Sequence, residues 1–157
     1  MRRTDREITD REELLKILAA ADAGRLALNG DDGYPYIIPL SFGEEDNDGQ
    51  LTLYFHGTAE AGKKYELMAR DDRAAFEVDV DHQVQRADEA CKYSMNYSSV
   101  IMQGRMVIIP DEDKEKAFRI ILRHYGAEAA PLNPEAVART RCFALKVERM
   151  TGKRRAM

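Results

Sequence analysis

The sequence predicts a mainly β domain, a small six-stranded antiparallel barrel decorated by helices, and three observations carry that reading. Six short runs show the period-two or dense apolar pattern of strands. Clusters rich in Gly, Asp and Asn separate the early runs at hairpin spacing, which favours antiparallel pairing over a parallel sheet. A length of 157 residues, 44% of them hydrophobic and 33% charged, suits one core and therefore a single domain over 1–157.

The elements follow in chain order. Thr9 with Glu12 three positions on forms a capping-box pattern, Leu14, Leu15, Ile17 and Leu18 supply the apolar stripe of a first helix, and Gly24 is its expected stop. "RLALN" (25–29) and "YPYIIPLSF" (34–42) flank the turn "GDDG", and "QLTLYFH" (50–56) follows the acidic loop "EEDNDG". Pro35 and Pro39 cannot donate to a β ladder, so the second strand needs an edge or an irregular stretch, and its free backbone groups could meet a ligand. "TAEAGKKYELMARDD" predicts a helix with Tyr65, Leu67 and Met68 inward. "RAAFEVDVDH" places Ala74, Phe76, Val78 and Val80 on one face of a strand. Residues 97–110, "YSSVIMQGRMVIIP", form a long strand in which Gly104 predicts a bend or bulge. A helix then opens at Pro110 and Asp111, presents Phe118, Ile121, Leu122 and Tyr125 on one face, and stops at Gly126. A short helix capped by Asn133 with Pro134 at its first position precedes the last strand, "CFALKVERM".

Charge and motif content exclude several functions. A net charge of -4 argues against a nucleic-acid footprint. The N-terminal stretch lacks a signal-peptide core and no run of about 18 apolar residues occurs, so a soluble cytoplasmic protein without membrane contact is expected. Cys91 and Cys142 lack metal-ligand spacing and are expected to be reduced. His82 and His124 have no partner at ligand spacing, so no metal site is expected. No Walker loop, Rossmann glycine motif or nucleophile elbow is present.

Two places could carry chemistry. "AGKK" offers free helix-start amides and the ammonium groups of Lys63 and Lys64, the parts of a phosphate site, although a solvated helix start reads the same way. His56 and Gly57 end a strand, either as a satisfied histidine or as a donor beside a cofactor where glycine admits close approach. The hydroxyls of "YSSV" could cap a turn.

The ordered set "REITDREE", "RLALN", "YPYIIPLSFG", "LYFHG", "GKK", "FEVDVDH", "YSSVIMQGR" and "MTGK" resembles the nitroimidazole reductase branch of the pyridoxamine 5'-phosphate oxidase-like, FMN-binding split barrels, from Arg3 to about Lys153. The resemblance implies a Greek-key split barrel and a homodimer with FMN at the subunit interface. It implies that Tyr36, Ile37, Ile38, Pro39, Leu40 and Ser41 line the isoalloxazine edge. Lys63 and Lys64 would hold the phosphate with the turn at His56, Gly57 and Thr58, and Lys153 or Arg154 would be further cations. Tyr97, Ser98, Ser99 and Val100 would line the same cleft, with Gln103 and Gly104 near the ring or ribityl chain. Family members often carry a basic residue where this chain has Ser98, and the extra arginines of pyridoxamine phosphate oxidases find no match. The implied activity is therefore reduction of a small organic acceptor, such as a nitroimidazole or other nitroaromatic, with electrons from a reduced nicotinamide and His56 as the catalytic side chain. The alternative is a flavin- or haem-binding protein of the same superfamily without turnover.

Overall fold

A computed structural model describes residues 3–155. Its strands are β1 (Glu7–Ile8), β2 (Gly24–Asn29), β3 (Pro35–Leu40), β4 (Gly43–Asn47), β5 (Gln50–Thr58), β6 (Arg73–Gln85), β7 (Ser94–Ile108) and β8 (Thr140–Arg155). Its helices are α1 (Arg11–Ala20), α2 (Lys63–Arg70), α3 (Lys114–His124) and α4 (Pro134–Ala138). All pairings are antiparallel and run in the order β3-β2-β6-β7-β8-β5-β4, with β1 added to β8. Among the described residues the sheet has eight strands rather than six. The acidic loop after β3 is itself β4, because Asp48 and Gly49, at φ 51° and 90°, make a two-residue turn and leave "GEEDN" free to pair with β5. No helix among the described residues is long and apolar enough to cross a membrane.

Local chemistry explains several shifts from expectation. Asp10, not Thr9, caps α1 by accepting from the Glu12 amide at 2.9 Å. That helix ends at Ala20, since Ala21 is already extended, and Gly24 instead opens β2. There Gly24 is required by packing: a Cβ would lie 2.2 Å from Phe76 Cζ. Residues 111–113 form a 3₁₀ turn, so α3 begins later and buries Lys114, Ala117, Ile120 and Ile121; Tyr125 of the expected face is exposed. β7 runs unbroken past Gly104, and the bulge lies opposite, where Glu148 is the extra residue of β8.

The sheet curls into a split barrel. Phe55 on β5 and Phe76 on β6 lie three strand steps apart, about 14 Å in a flat sheet, yet their ring centroids are 5.1 Å apart. Phe42 joins them at 5.2 Å from Phe76. Leu14, Ile17 and Leu18 of α1 complete this core. α3 covers the opposite face of β4, β5 and β8. Residues 142–145 of β8 are therefore wholly buried in succession, Phe143 and Leu145 facing the barrel and Cys142 and Ala144 facing α3.

His124 fastens the end of α3. Its ring nitrogens lie 2.7 Å from Glu44 Oε2 and 2.8 Å from the Ala21 carbonyl oxygen. The carbonyl can only accept, so Nε2 carries a proton, and the Glu44 carboxylate favours a second proton on Nδ1. That hydrogen bond raises the His124 pKa above its ordinary 6.5. A raised folded value stabilises the fold fully below pH 6.5 and loses that contribution as pH rises through it. Urea midpoints are thus expected to fall from pH 6 toward pH 8 in the parent and to change less in His124→Gln; equal slopes would remove His124 from the pH dependence.

Candidate functional site

The first turn of α2 sets the geometry. Gly62 precedes it with no side-chain cap, leaving first-turn amides without a side-chain acceptor. Lys63 and Lys64 leave this turn in different directions, as successive helical residues must. Lys63 Nζ is bound to Asp31 at 2.5 and 2.6 Å and is exposed. Lys64 instead folds over aromatic surface, with Nζ 4.9 Å from the Tyr65 ring centroid and 5.4 Å from that of Phe143. Arg141, at the start of β8, places its guanidinium carbon 4.5 Å from the same Tyr65 centroid. Tyr65 is buried and held by donating its hydroxyl proton to the Thr58 carbonyl at 2.8 Å.

Two cations thus share one aromatic ring. Unlike Lys63, neither makes an ion pair with a carboxylate among the described residues. Burial holds the Lys64 ammonium below its ordinary pKa, the mark of a charge short of solvent and of a counterion. Gly57 makes the arrangement possible, because a Cβ there would lie 2.3 Å from Lys64 Nζ and 2.9 Å from the Tyr65 hydroxyl. Register pairs Gly57 with Arg141, which brings the second cation in from a strand 84 positions away in sequence (141 − 57). A dianionic phosphate supplies what this corner lacks: acceptors for free amides and charge for two cations.

The other predicted residues divide. Gly57 and Thr58 belong to the corner. His56 points to the opposite face of β5, beside its register partner Cys142, with its ring 5.6 Å from Phe118 of α3. Burial first, and the Lys64 ammonium second, hold the imidazole below its ordinary pKa, so it is mainly neutral at pH 7. Cys142 is buried and its thiol is pushed up to about 11, which leaves it unreactive.

β3 is an edge strand, as its prolines required, so the backbone of Tyr36, Ile37, Ile38, Pro39 and Leu40 has one unpaired side that continues into exposed Ser41. Ile37, Ala27, Ala75 and Gln103 form an outward row across β3, β2, β6 and β7, and the last three line a trough of about 360 Å³. Gly104 faces the other way and is a glycine because a Cβ would lie 1.9 Å from the Lys146 carbonyl oxygen.

Tyr97 and Ser99 alternate outward from the same strand. Ser98, 1% exposed, and Val100 face the core instead. Ser98 accepts from Arg154 Nε at 3.0 Å, and Arg154 also pairs with Glu13, so both are engaged in fastening α1 to the sheet. Arg141 was absent from the residues expected at the site. Its only sequence signal is a basic residue opening the last strand, which does not reveal its strand partner.

Comparisons with known proteins agree with this architecture. Residues 10–154 match the family described as Pyridoxamine 5'-phosphate oxidase. A 5a,11a-dehydrotetracycline/5a,11a-dehydrooxytetracycline reductase of Streptomyces rimosus is 27% identical over 113 residues, 72% of this chain and 68% of that protein. The crystal structure of a candidate 5-nitroimidazole antibiotic resistance protein from Bacteroides thetaiotaomicron superposes with a TM-score of 0.78 at 31% identity, covering 94% of this chain and 85% of the other. The FAD and haem binding protein from Mycobacterium smegmatis superposes with a TM-score of 0.80 at 23% identity, over 97% of this chain and 74% of its own. With the split barrel and a family match across nearly its whole length, the chain belongs to the pyridoxamine 5'-phosphate oxidase family.

Proposed function

We propose that the protein is an FMN-dependent oxidoreductase that reduces a small organic acceptor, such as a nitroimidazole or other nitroaromatic, with electrons from a reduced nicotinamide. The observation that carries the proposal is the pair of cations on Tyr65, Lys64 and Arg141, without carboxylate partners among the described residues and beside the open start of α2. The reductase from Streptomyces rimosus and the resistance protein from Bacteroides thetaiotaomicron support the direction of the chemistry. The flavin would supply the redox chemistry; the protein supplies binding, orientation and electrostatics.

Lys64, Arg141 and the amides of the α2 start would hold the phosphate. The edge of β3 would give backbone groups to the polar rim of the ring, and Gln103 would face it from the outward row. That row includes Ile37 and continues toward Ile101, 60% and 46% exposed, which supports a homodimer closing over this face. His56 would act from the α3 side as a neutral imidazole able to donate or accept one proton.

A haem-binding variant of the proposal would fall to His56. Among the described histidines, His124 is tied to Glu44 and Ala21, and His82 to Asp79 at 2.6 Å. An absorbance spectrum of the purified protein decides between the cofactors: flavin bands support the proposal, and a Soret band alone overturns it. His56→Ala is then expected to keep the flavin and to slow reoxidation by a nitroimidazole about 10²-fold, the usual size of a general acid–base contribution. Stopped-flow rates equal to the parent would take His56 out of the chemistry.

A further inference from the structure

Two adjoining cavities lie between α3, α4 and the start of β8. Between α3 and α4 is a cavity of about 460 Å³ lined by the apolar side chains of Leu132, Pro134 and Val137 and by Lys114. A second cavity of about 400 Å³ shares Lys114, Asp111 and Ala138 with it and extends to Ile109 and Arg141. Lys114 is unusual for a lysine. Its side chain is 10% exposed, and among the described residues its ammonium makes one polar contact, 2.8 Å to Asp111 Oδ1. An ammonium has three donors, so two are left at the wall of the cavity. The partner that it has is weakly placed, since the Asp111 side chain is 89% exposed and is equally well served by solvent.

We infer that the cleft between α3 and α4 binds a small amphipathic carboxylate, with its charged end on Lys114 and its apolar body against Leu132, Pro134 and Val137. Around the 460 Å³ cavity Lys114 and Arg119 face Asp111 and Glu115. Arg119 is already committed, donating to the carbonyls of Glu128 and Ala130 at 2.8 and 2.6 Å and pairing with Glu115 at 3.6 Å. That leaves Lys114 as the cation with donors to spare. The inference stands apart from the flavin proposal, because the cleft lies under α4 and its anchor takes no part in the Tyr65 corner.

The test uses 4-phenylbutyrate as probe and 4-phenylbutan-1-ol as its uncharged counterpart, titrated calorimetrically into the purified full chain. The carboxylate is expected to bind saturably and at least tenfold more tightly than the alcohol, the ratio expected of one charge-assisted bond. Lys114→Met should remove that ratio. Val137→Trp should fill the cleft and abolish binding of both compounds without lowering the thermal midpoint. Lys64→Met should leave the probe's affinity unchanged, which separates this cleft from the corner on Tyr65. Equal binding of alcohol and carboxylate, no saturable binding, or loss of binding in Lys64→Met rather than in Val137→Trp would each overturn the inference. If Lys114→Met does not fold, Val137→Trp together with the carboxylate-to-alcohol ratio decides it.

Discussion

Replacing Lys64 and Arg141 together by methionine is expected to weaken flavin binding by at least a hundredfold, with the fold retained. Each cation can offer a phosphate one charge-assisted hydrogen bond of roughly 1.5–3 kcal/mol when shielded from water, and two such bonds reach or exceed about 3 kcal/mol. Methionine preserves the aliphatic cover over Tyr65 and Phe143, so the packing that Lys64 provides is largely kept. Lys63→Ala is the internal control. Its ammonium is taken by Asp31, and its loss should change flavin affinity by no more than a few fold. Fluorescence quenching of added FMN by apoprotein measures all three variants. If the double variant binds FMN like the parent, or if Lys63→Ala is the more damaging change, the phosphate does not sit on the Tyr65 corner. Gly57→Ala offers a second route, because its new methyl would displace the Lys64 ammonium without removing any charge.

Phe76→Ala is expected to cost about 3–5 kcal/mol of stability, the range for truncating a buried aromatic side chain. Phe76 is fully buried, touches Phe42 and Phe55 at 5.2 and 5.1 Å between centroids, and occupies the space that Gly24 leaves by having no side chain. Truncation would therefore empty the point where β2, β5 and β6 meet across the barrel. Guanidinium unfolding followed by circular dichroism measures the loss directly. A cost below about 1 kcal/mol would mean that the rings do not close the barrel.

Short-range features were legible because they rest on short-range physics. The alternation in β6, the Asn133–Pro134 start of α4, the Gly126 stop of α3 and the inward face of α2 all depend on residues within one or two turns, and the structure agrees with each. The errors also have local causes. Thr9 and Asp10 are both competent caps one position apart, and Asp10 is the one whose side chain reaches the Glu12 amide. The acidic stretch after β3 reads as a turn because its residues tolerate positive φ; Asp48 and Gly49 take that conformation, and pairing with β5 draws the residues before them into β4.

The candidate site was legible only in part. "GKK" announced two cations at a helix start, yet nothing in the string separates Lys63, which turns to Asp31, from Lys64, which turns to Tyr65. The same limit hid the face of His56. Its place in "FHG" names no neighbour, and strand parity with the cover of α3 sets it against Phe118.

The antiparallel β class, the edge character of β3 and the membership of the split-barrel family were therefore determined by the sequence alone, through period, proline placement and the ordered set of words that the family shares. The partnership of Lys64 with Arg141, the burial of Lys114 beneath α4 and the engagement of Arg154 by Ser98 and Glu13 were decided only in three dimensions. The physical reason is the same for all three. Each depends on the register between β8 and a distant strand or on a helix laid across it, and register is set by burial of the whole sheet rather than by the residues that it happens to bring together.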